Sequence, residues 1–434
     1  MKREIYKDLL KWKNSPRRKP LLLKGARQVG KTWILKEFGR NEYEKTAYFN
    51  FEEDPDLKEF FTERLSPKEI IKSLSIYIKW EILPERHLII FDEIQISNDA
   101  LNSLKYFYEQ ANEYHIIAAG SLLGIKLSGE KSFPVGKVNF LEMYPMSFLE
   151  FLDGIGEISL KELIETTRVI QPYPEPLHKQ MIEKLKEYYF VGGMPEVVKH
   201  FARTRNYDEV KEIQKEILTS YTLDFTKYAK PNDIPKLSIV WDSIPSQLAK
   251  ENKKFIFSVI KKSARARDYE NAIQWLEDSG LLIRCYRVNK INVPLKAYID
   301  RNSFKVFSLD IGLLGRLANI DVNMLILGDR IFNEYKGAFV ENYVAQQLHS
   351  MEIYFYYWTS SGKAEIDFIF ENSEGIFPLE AKSGINPKSK SLKVYEEKYQ
   401  PTKLYRTSLL NLKKDGKIIN IPLYAISLLK NKFF

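Results

Sequence analysis

Residues 21–32 read LLLKGARQVGKT, and WILKEF follows from Trp33. An apolar run, then Gly25, four residues, Gly30, Lys31 and Thr32, then a helical stretch, describes a strand that turns into a helix through a phosphate-binding loop. The glycines let the backbone N–H groups wrap a phosphate, and the N-terminus of the following helix adds a favourable dipole. In this arrangement Gly25, Ala26, Arg27, Gln28, Val29, Gly30, Lys31, Thr32 and Trp33 surround the nucleotide. Lys31 reaches the β- and γ-phosphates, and Thr32 ligates magnesium. A chance glycine-rich turn fits poorly with a strand before it and a helix after it.

The same alternation continues outward through the first third of the chain. Residues 20–24 (PLLLK), 46–51 (TAYFNF), 87–91 (HLIIF) and 114–119 (YHIIAA) read as buried strands, with helix-like spacing over 57–83 and 100–112. That pattern predicts an α/β domain, a parallel sheet with helices on both faces. The signal weakens over 155–176, returns as a helix over 178–190, and stops at Gly192-Gly193 and Pro195. A helical middle region runs to about Asp300. Beyond Gly337 the order is helix, then strands at 354–358, 365–370 and 376–381.

The 434 residues, at about 100–200 per domain, suggest two to four domains. The boundaries fall best as 1–200, 201–335 and 336–434. The single cysteine, Cys285, excludes an internal disulfide and fits a reducing compartment. The five histidines, at 87, 115, 178, 200 and 349, lack the spacing of metal ligands. A charged N-terminus without an apolar core, and no run of about 18 apolar residues, predict a cytoplasmic chain with no membrane partner.

Strand 87–91 ends in Asp92 and Glu93, at the edge where a parallel sheet binds its ligand. Asp92 is expected to hold magnesium and Glu93 to polarise the attacking water, which distinguishes a hydrolase from a passive binder. Strand 114–119 runs into Gly120-Ser121. Ser121 either positions the lytic water near the γ-phosphate or caps the next helix.

Taken together, GARQVGKT, FDEIQ, AAGS, EMYPMSFLEFL and FVGGMPEVV resemble the prokaryotic AAA+ ATPases related to the STAND and archaeal ATPase groups, whose members carry a C-terminal domain of unknown function. The resemblance spans nearly the whole chain and implies ATP and Mg2+ as cofactors. It also implies a lid element against the nucleotide, here Gly193-Met194-Pro195, with Pro195 as a contact. Family members often carry a Gly-Arg pair before the ELYPLSFEEF-like stretch; this chain has Gly136-Lys137, which keeps the charge and loses the bidentate fork of an arginine finger.

The net charge is +9, but it is concentrated. Residues 380–434 carry 12 Lys and Arg against 4 Asp and Glu, and residues 250–300 carry 11 against 6, leaving the remainder at −4. Local basicity of this kind suits a polyanion, or else a solvated lysine-rich surface. In the middle region, KKSARAR, the helical DYENAIQWLEDS and the strand LLIRCYRV follow winged-helix order, with Lys261, Lys262, Arg265 and Arg267 facing phosphates. Glu270, Glu277 and Asp278 on the same helix would repel DNA and argue for a protein-interaction or nucleotide-sensing role instead.

At the C-terminus, Glu341 lies in a helix, Asp367 in AEIDFIF, and Glu380 and Lys382 two apart in PLEAKSG. This set looks like the core of a PD-(D/E)XK nuclease with a restriction-endonuclease-like fold. Asp367 and Glu380 would bind the metal, and Lys382 would orient the attacking water beside Glu341. Lys388, Lys390 and Lys393 follow and suit a nucleic-acid strand. Two readings therefore stay open. One is a Mg-dependent ATPase coupled to nucleic acid, DNA in preference to RNA, with cleavage at the C-terminal site. The other is a STAND-like nucleotide switch that cycles between ATP and ADP, controls a homo-oligomer or a protein partner, and has a non-catalytic C-terminal domain.

Overall fold

The computed structural model describes residues 1–62, 66–121, 136–250, 254–260, 265–322, 333–360, 364–384 and 390–430, the side chains of 333–335 excepted. The chain divides into two units. One holds Lys2–Tyr144 with Asp278–Gly280; the other holds Met1, Pro145–Glu277 and Leu281–Phe434. The expected boundaries near 200 and 335 both fall within the second unit.

In the first unit, β1 (Leu21–Lys24), β2 (Lys45–Asn50), β3 (His87–Asp92), β4 (His115–Ala119) and β5 (Asn139–Glu142) form a parallel sheet of order β2-β3-β4-β1-β5. Every residue of β3 and β4 is buried, as expected where helices cover both faces of a parallel sheet. One face packs Phe49, Phe91 and Ile116 against Leu74, Leu104 and Phe107. Truncating Phe91 to alanine would cost about 3–5 kcal/mol. The edge strand β5 escapes a reading by apolar runs because all four of its residues are partly or fully exposed.

Two helical expectations are corrected. The stretch 57–83 is not one helix: a 3-10 turn, Pro55–Phe61, precedes the helix Pro67–Tyr77. The cause is local, since Ser66 and Glu69 form a capping box and Pro67 takes the first helical position. The weak stretch after Ile155 contains a further helix, Ile158–Glu165.

The second unit is helical through Glu175–Val191, Pro195–Thr204, Tyr207–Tyr228, Ile234–Leu248 and Ala266–Asp278. An eight-stranded mixed sheet follows. Its strands are β6 (Leu282–Val288), β7 (Ile299–Ser308), β8 (Phe355–Thr359), β9 (Glu365–Asn372), β10 (Gly375–Ala381), β11 (Leu404–Ser408), β12 (Lys413–Asp415) and β13 (Ile418–Pro422), in the order β12-β13-β11-β10-β9-β8-β6-β7. The hairpin β6–β7 meets the rest of the sheet where Arg287 on β6 pairs with Tyr357 on β8. Its core packs Trp358, Ile366 and Ile369 against Leu392 and Tyr395 of the helix Lys390–Tyr399.

Candidate functional site

Sheet register sets the first site. Asn50 pairs with Asp92, Phe91 with Ala118, and Leu23 with Ala119, so the ends of β1, β3 and β4 lie level with one another. The loop after Leu23, the pair Asp92-Glu93 and Gly120-Ser121 therefore share the carboxyl edge of the sheet.

The loop is seated from behind. Gly25 has φ +146°, and a Cβ there would lie 2.2 Å from the carbonyl oxygen of Met143, so only glycine fits. The buried Arg3 donates from Nη1 to the carbonyl of Val29 at 2.9 Å and from Nη2 to that of Tyr144 at 2.6 Å. Sequence reading treated the N-terminal segment only as a charged stretch, which is how a snorkelled or buried arginine looks from composition.

Lys31 is buried, and its Nζ donates to the carbonyls of Gly25 at 2.9 Å and Ala26 at 2.8 Å. Burial pushes its ammonium down to about 8, against the opposing pull of Glu93 and Asp92. Thr32 Oγ1 donates to Asp92 Oδ2 at 2.6 Å, and the Tyr48 hydroxyl donates to the same oxygen at 3.0 Å. Asp92 Oδ1 accepts from the backbone N–H of Glu93 at 3.1 Å. Glu93 sits in left-handed backbone, φ +50°, and its Oε2 accepts from Ser121 Oγ at 3.2 Å and from Gln95 Nε2. Thr32, Asp92, Glu93 and Ser121 are thus brought together with Lys31. Tyr48 and Gln95 were not foreseen, because neither stands in a recognised motif.

The hydroxyl of Thr32 and the carboxylate of Asp92 offer adjacent hard oxygens, a donor set that fits magnesium. Ala26 and Val29 are buried, Gln28 is exposed with φ +66°, and Trp33 is exposed on the first turn of the helix Lys31–Glu42. Lys137 pairs with Glu109 at 3.0 Å. The segment 122–135 after Ser121, including any helix it caps, lies outside the described residues.

Pro195 belongs to the second unit, at the start of the helix Pro195–Thr204. Gly193 before it packs so tightly that a Cβ would lie 2.1 Å from the carbonyl oxygen of Met146. The N–H of Gly193 donates to Asp310 Oδ2 at 2.6 Å. Burial pushes the Asp310 carboxyl up to about 6, although Gly193, Leu313, Gln346 and Gly312 all donate toward its charged form.

In the same unit, Glu380 is 1% exposed, and its Oε1 pairs with Lys382 Nζ at 2.8 Å, which bears out their common face. The second oxygen of Glu380, Oε2, is buried without a hydrogen-bond partner. Asp367 Oδ2 accepts from the N–H of Ala381 at 2.9 Å. Burial would lower the Lys382 ammonium, but Asp367, Glu380 and Glu341 outweigh it and hold it above the ordinary lysine range. Glu341 meets a residue that sequence reading did not single out. Lys305 on β7, wholly buried, lies with Nζ 3.3 Å from Glu341 Oε2 and 2.5 Å from Glu365 Oε1. Burial disfavours its charge, yet Glu341, Glu365 and Asp367 together hold it above the ordinary range. Among the described residues, no three carboxylate, thiol or imidazole groups converge to hold a metal ion.

In the middle region, Glu270 and Glu277 pair with the buried Arg284 of β6, at 2.6 and 2.9 Å. They therefore face the hairpin, and much of the acidity counted against this helix is internally neutralised. Arg265 and Arg267 are exposed, while Lys261 and Lys262 lie outside the described residues, as does Lys388. Cys285 is buried and free of any disulfide. His115 bonds Tyr43 and His178 bonds Tyr424, each at 2.7 Å, in keeping with structural roles. Among the described residues no helix is long and apolar enough to cross a membrane.

A parallel sheet whose carboxyl edge gathers a glycine-rich loop, its lysine and threonine, and an Asp-Glu pair defines a P-loop nucleotide-binding domain. The comparisons are more particular. Residues 17–152 match the family model described as an AAA domain, so the first unit carries an AAA-type ATPase domain. Residues 182–323 and 336–425 match two domains of unknown function, DUF8612 and DUF4143. No curated protein matches the chain in sequence. Similar solved structures include the Walker-type ATPase PABY2304 of Pyrococcus abyssi, at 16% identity over 73% of this chain and 95% of that one, with a TM-score of 0.45. The ORC1 protein of Aeropyrum pernix in complex with DNA is 13% identical over 73% of this chain and 90% of that one, with a TM-score of 0.27. The RuvB Holliday junction branch migration motor of Thermotoga maritima is 14% identical over 65% and 90%, with a TM-score of 0.29.

Proposed function

We propose that this chain binds ATP with magnesium and hydrolyses it, and that the cycle acts on nucleic acid, DNA in preference to RNA, through the second unit. The observation that carries the first part is the chain of contacts from Thr32 through Asp92 to Glu93 and Ser121. The loop N–H groups and Lys31 bind the β- and γ-phosphates of the substrate. Magnesium, when bound at Thr32 and Asp92, supplies positive charge to the phosphate oxygens. Glu93, fixed by Ser121 and Gln95, orients the attacking water and takes up its proton. Trp33 lies beside the nucleotide. Hydrolysis measured with and without Mg2+ tests this reading: Lys31→Ala should abolish nucleotide binding, and unchanged affinity would refute it.

For the second unit the favoured reading is a metal-assisted site on a phosphodiester backbone. Its support is Glu380, buried with one oxygen on Lys382 and the other unpartnered, and Asp367 held to the adjacent Ala381. Two carboxylates with water suffice for a magnesium or manganese ion, so the residues fit one even though no three groups converge. Such an ion, when bound, supplies Lewis acidity toward a phosphate oxygen. Lys382 orients the attacking water, and Lys390 and Lys393 contact the strand. Incubation with plasmid and single-stranded substrates in Mg2+ or Mn2+ tests it. Cutting that disappears in Asp367→Ala is expected. Absence of cutting, or cutting that survives the substitution, would instead favour the nucleotide switch acting on an oligomer or a protein partner.

A further inference from the structure

Lys305 stands outside every motif in this sequence, yet it has the most enclosed ammonium of the second site, 0% exposed on a strand flanked by Phe304 and Val306. A charge buried this deeply persists only when opposite charges compensate it. Two carboxylates from different elements do so: Glu341 from the helix Asn333–Ser350 and Glu365 from the start of β9. The Lys305 ammonium also lies 5.1 Å from the centroid of the Tyr357 ring. An ammonium bridging two carboxylates occupies the position a cation between them would need.

Lys382 offsets the other side of the site, where its Nζ lies 2.8 Å from Glu380 Oε1. The unpartnered acceptor, Glu380 Oε2, belongs to neither of the carboxylates that Lys305 bridges, and Glu380 is followed in β10 by Ala381, whose N–H donates to Asp367. That orphaned buried oxygen is the acceptor at which an ion would bind.

We propose that Lys305 is a built-in cation of this site: it holds the Glu341 and Glu365 half closed to metal, so that the site takes one divalent ion, at Asp367 and Glu380, and not two. The inference rests on the metal-assisted reading of the second unit. It also makes the site composite, because Lys305 lies in the segment 182–323 that matches one family model while its partners lie in the segment 336–425 that matches another.

The test is Mn2+ titration of the nucleotide-free full chain, with bound ions counted by electron paramagnetic resonance in wild type, Asp367→Asn, Lys305→Met and Lys305→Arg. Asp367→Asn should lose one ion relative to wild type. Lys305→Met should gain one, and its melting temperature, lowered in chelator, should recover with Mn2+. Lys305→Arg, which keeps the charge, should bind the wild-type number. Loss of two ions in Asp367→Asn, or an unchanged count in folded Lys305→Met, overturns the role given to Lys305 and leaves the metal reading intact. Loss of none in Asp367→Asn refutes the metal reading itself. Should Lys305→Met fail to fold, the wild-type and Asp367→Asn difference still decides between one ion and two.

Discussion

Glu93 carries the heaviest chemical assignment of any single residue, and its surroundings explain why. Its backbone is left-handed and its carboxylate is fixed by two side-chain donors, Ser121 and Gln95, so it is aimed before any substrate arrives. Glu93→Gln should therefore keep ATP affinity and lower turnover by about 10²–10⁴, the usual worth of a positioned general base; equilibrium binding and steady-state hydrolysis measured on the same preparation check both halves. Lys31, Thr32, Asp92 and Glu93 were legible in the sequence because a glycine-rich loop between a strand and a helix, and an Asp-Glu pair ending a second buried strand, stand out by residue type and context. Lys305, Glu365 and Arg3 were not. A lysine in FKVFS reads as a surface charge interrupting a strand, and only the folded chain reveals the carboxylates that compensate it. Arg3 likewise reads as part of a charged terminus, although its guanidinium bonds the carbonyls behind the loop.

Among the elements, the turn Gly192–Met194 is held by a side chain far away in sequence. Asp310 accepts from the N–H of Gly193 at 2.6 Å, caps the helix Ile311–Leu317 through Leu313 at 3.0 Å, and accepts from Gln346 of the long helix at 3.2 Å. One carboxylate thus fixes three elements of the second unit. Asp310→Ala removes a helix cap and leaves buried N–H groups without an acceptor, a loss of about 2–4 kcal/mol. Thermal or denaturant unfolding should show it, and a change under 1 kcal/mol would mean that the network is not structural. At this scale the sequence was readable where apolar runs were uninterrupted, as in β1, β3 and β4. It was misread where local capping cut a periodic stretch, at Ser66-Pro67, and gave no signal where an edge strand carried no apolar run, at β5. The two-residue spacing of Glu380 and Lys382 was enough to place them together, since alternation along a strand is a geometric rule.

For the whole molecule, the distribution of charge is the long-range feature. The basic excess in residues 250–300 and 380–434 lies in the part of the sequence that belongs almost entirely to the second unit. If those segments contact a phosphate backbone, affinity for nucleic acid should fall steeply between 50 and 200 mM salt, by about 10³-fold or more for six or more neutralised phosphates. A flat salt dependence would remove these segments as the contact surface. The P-loop lies in the first unit and the carboxylate cluster in the second, and the proposed ATP hydrolysis is the claim on which the rest depends. The most direct measurement is ATP turnover by the full chain in Mg2+ and in chelator, for wild type, Lys31→Ala and Glu93→Gln. Metal-dependent turnover is expected in wild type, no binding in Lys31→Ala, and tight binding with slow turnover in Glu93→Gln; wild-type rates in Glu93→Gln, or turnover that persists in chelator, would contradict hydrolysis at this site.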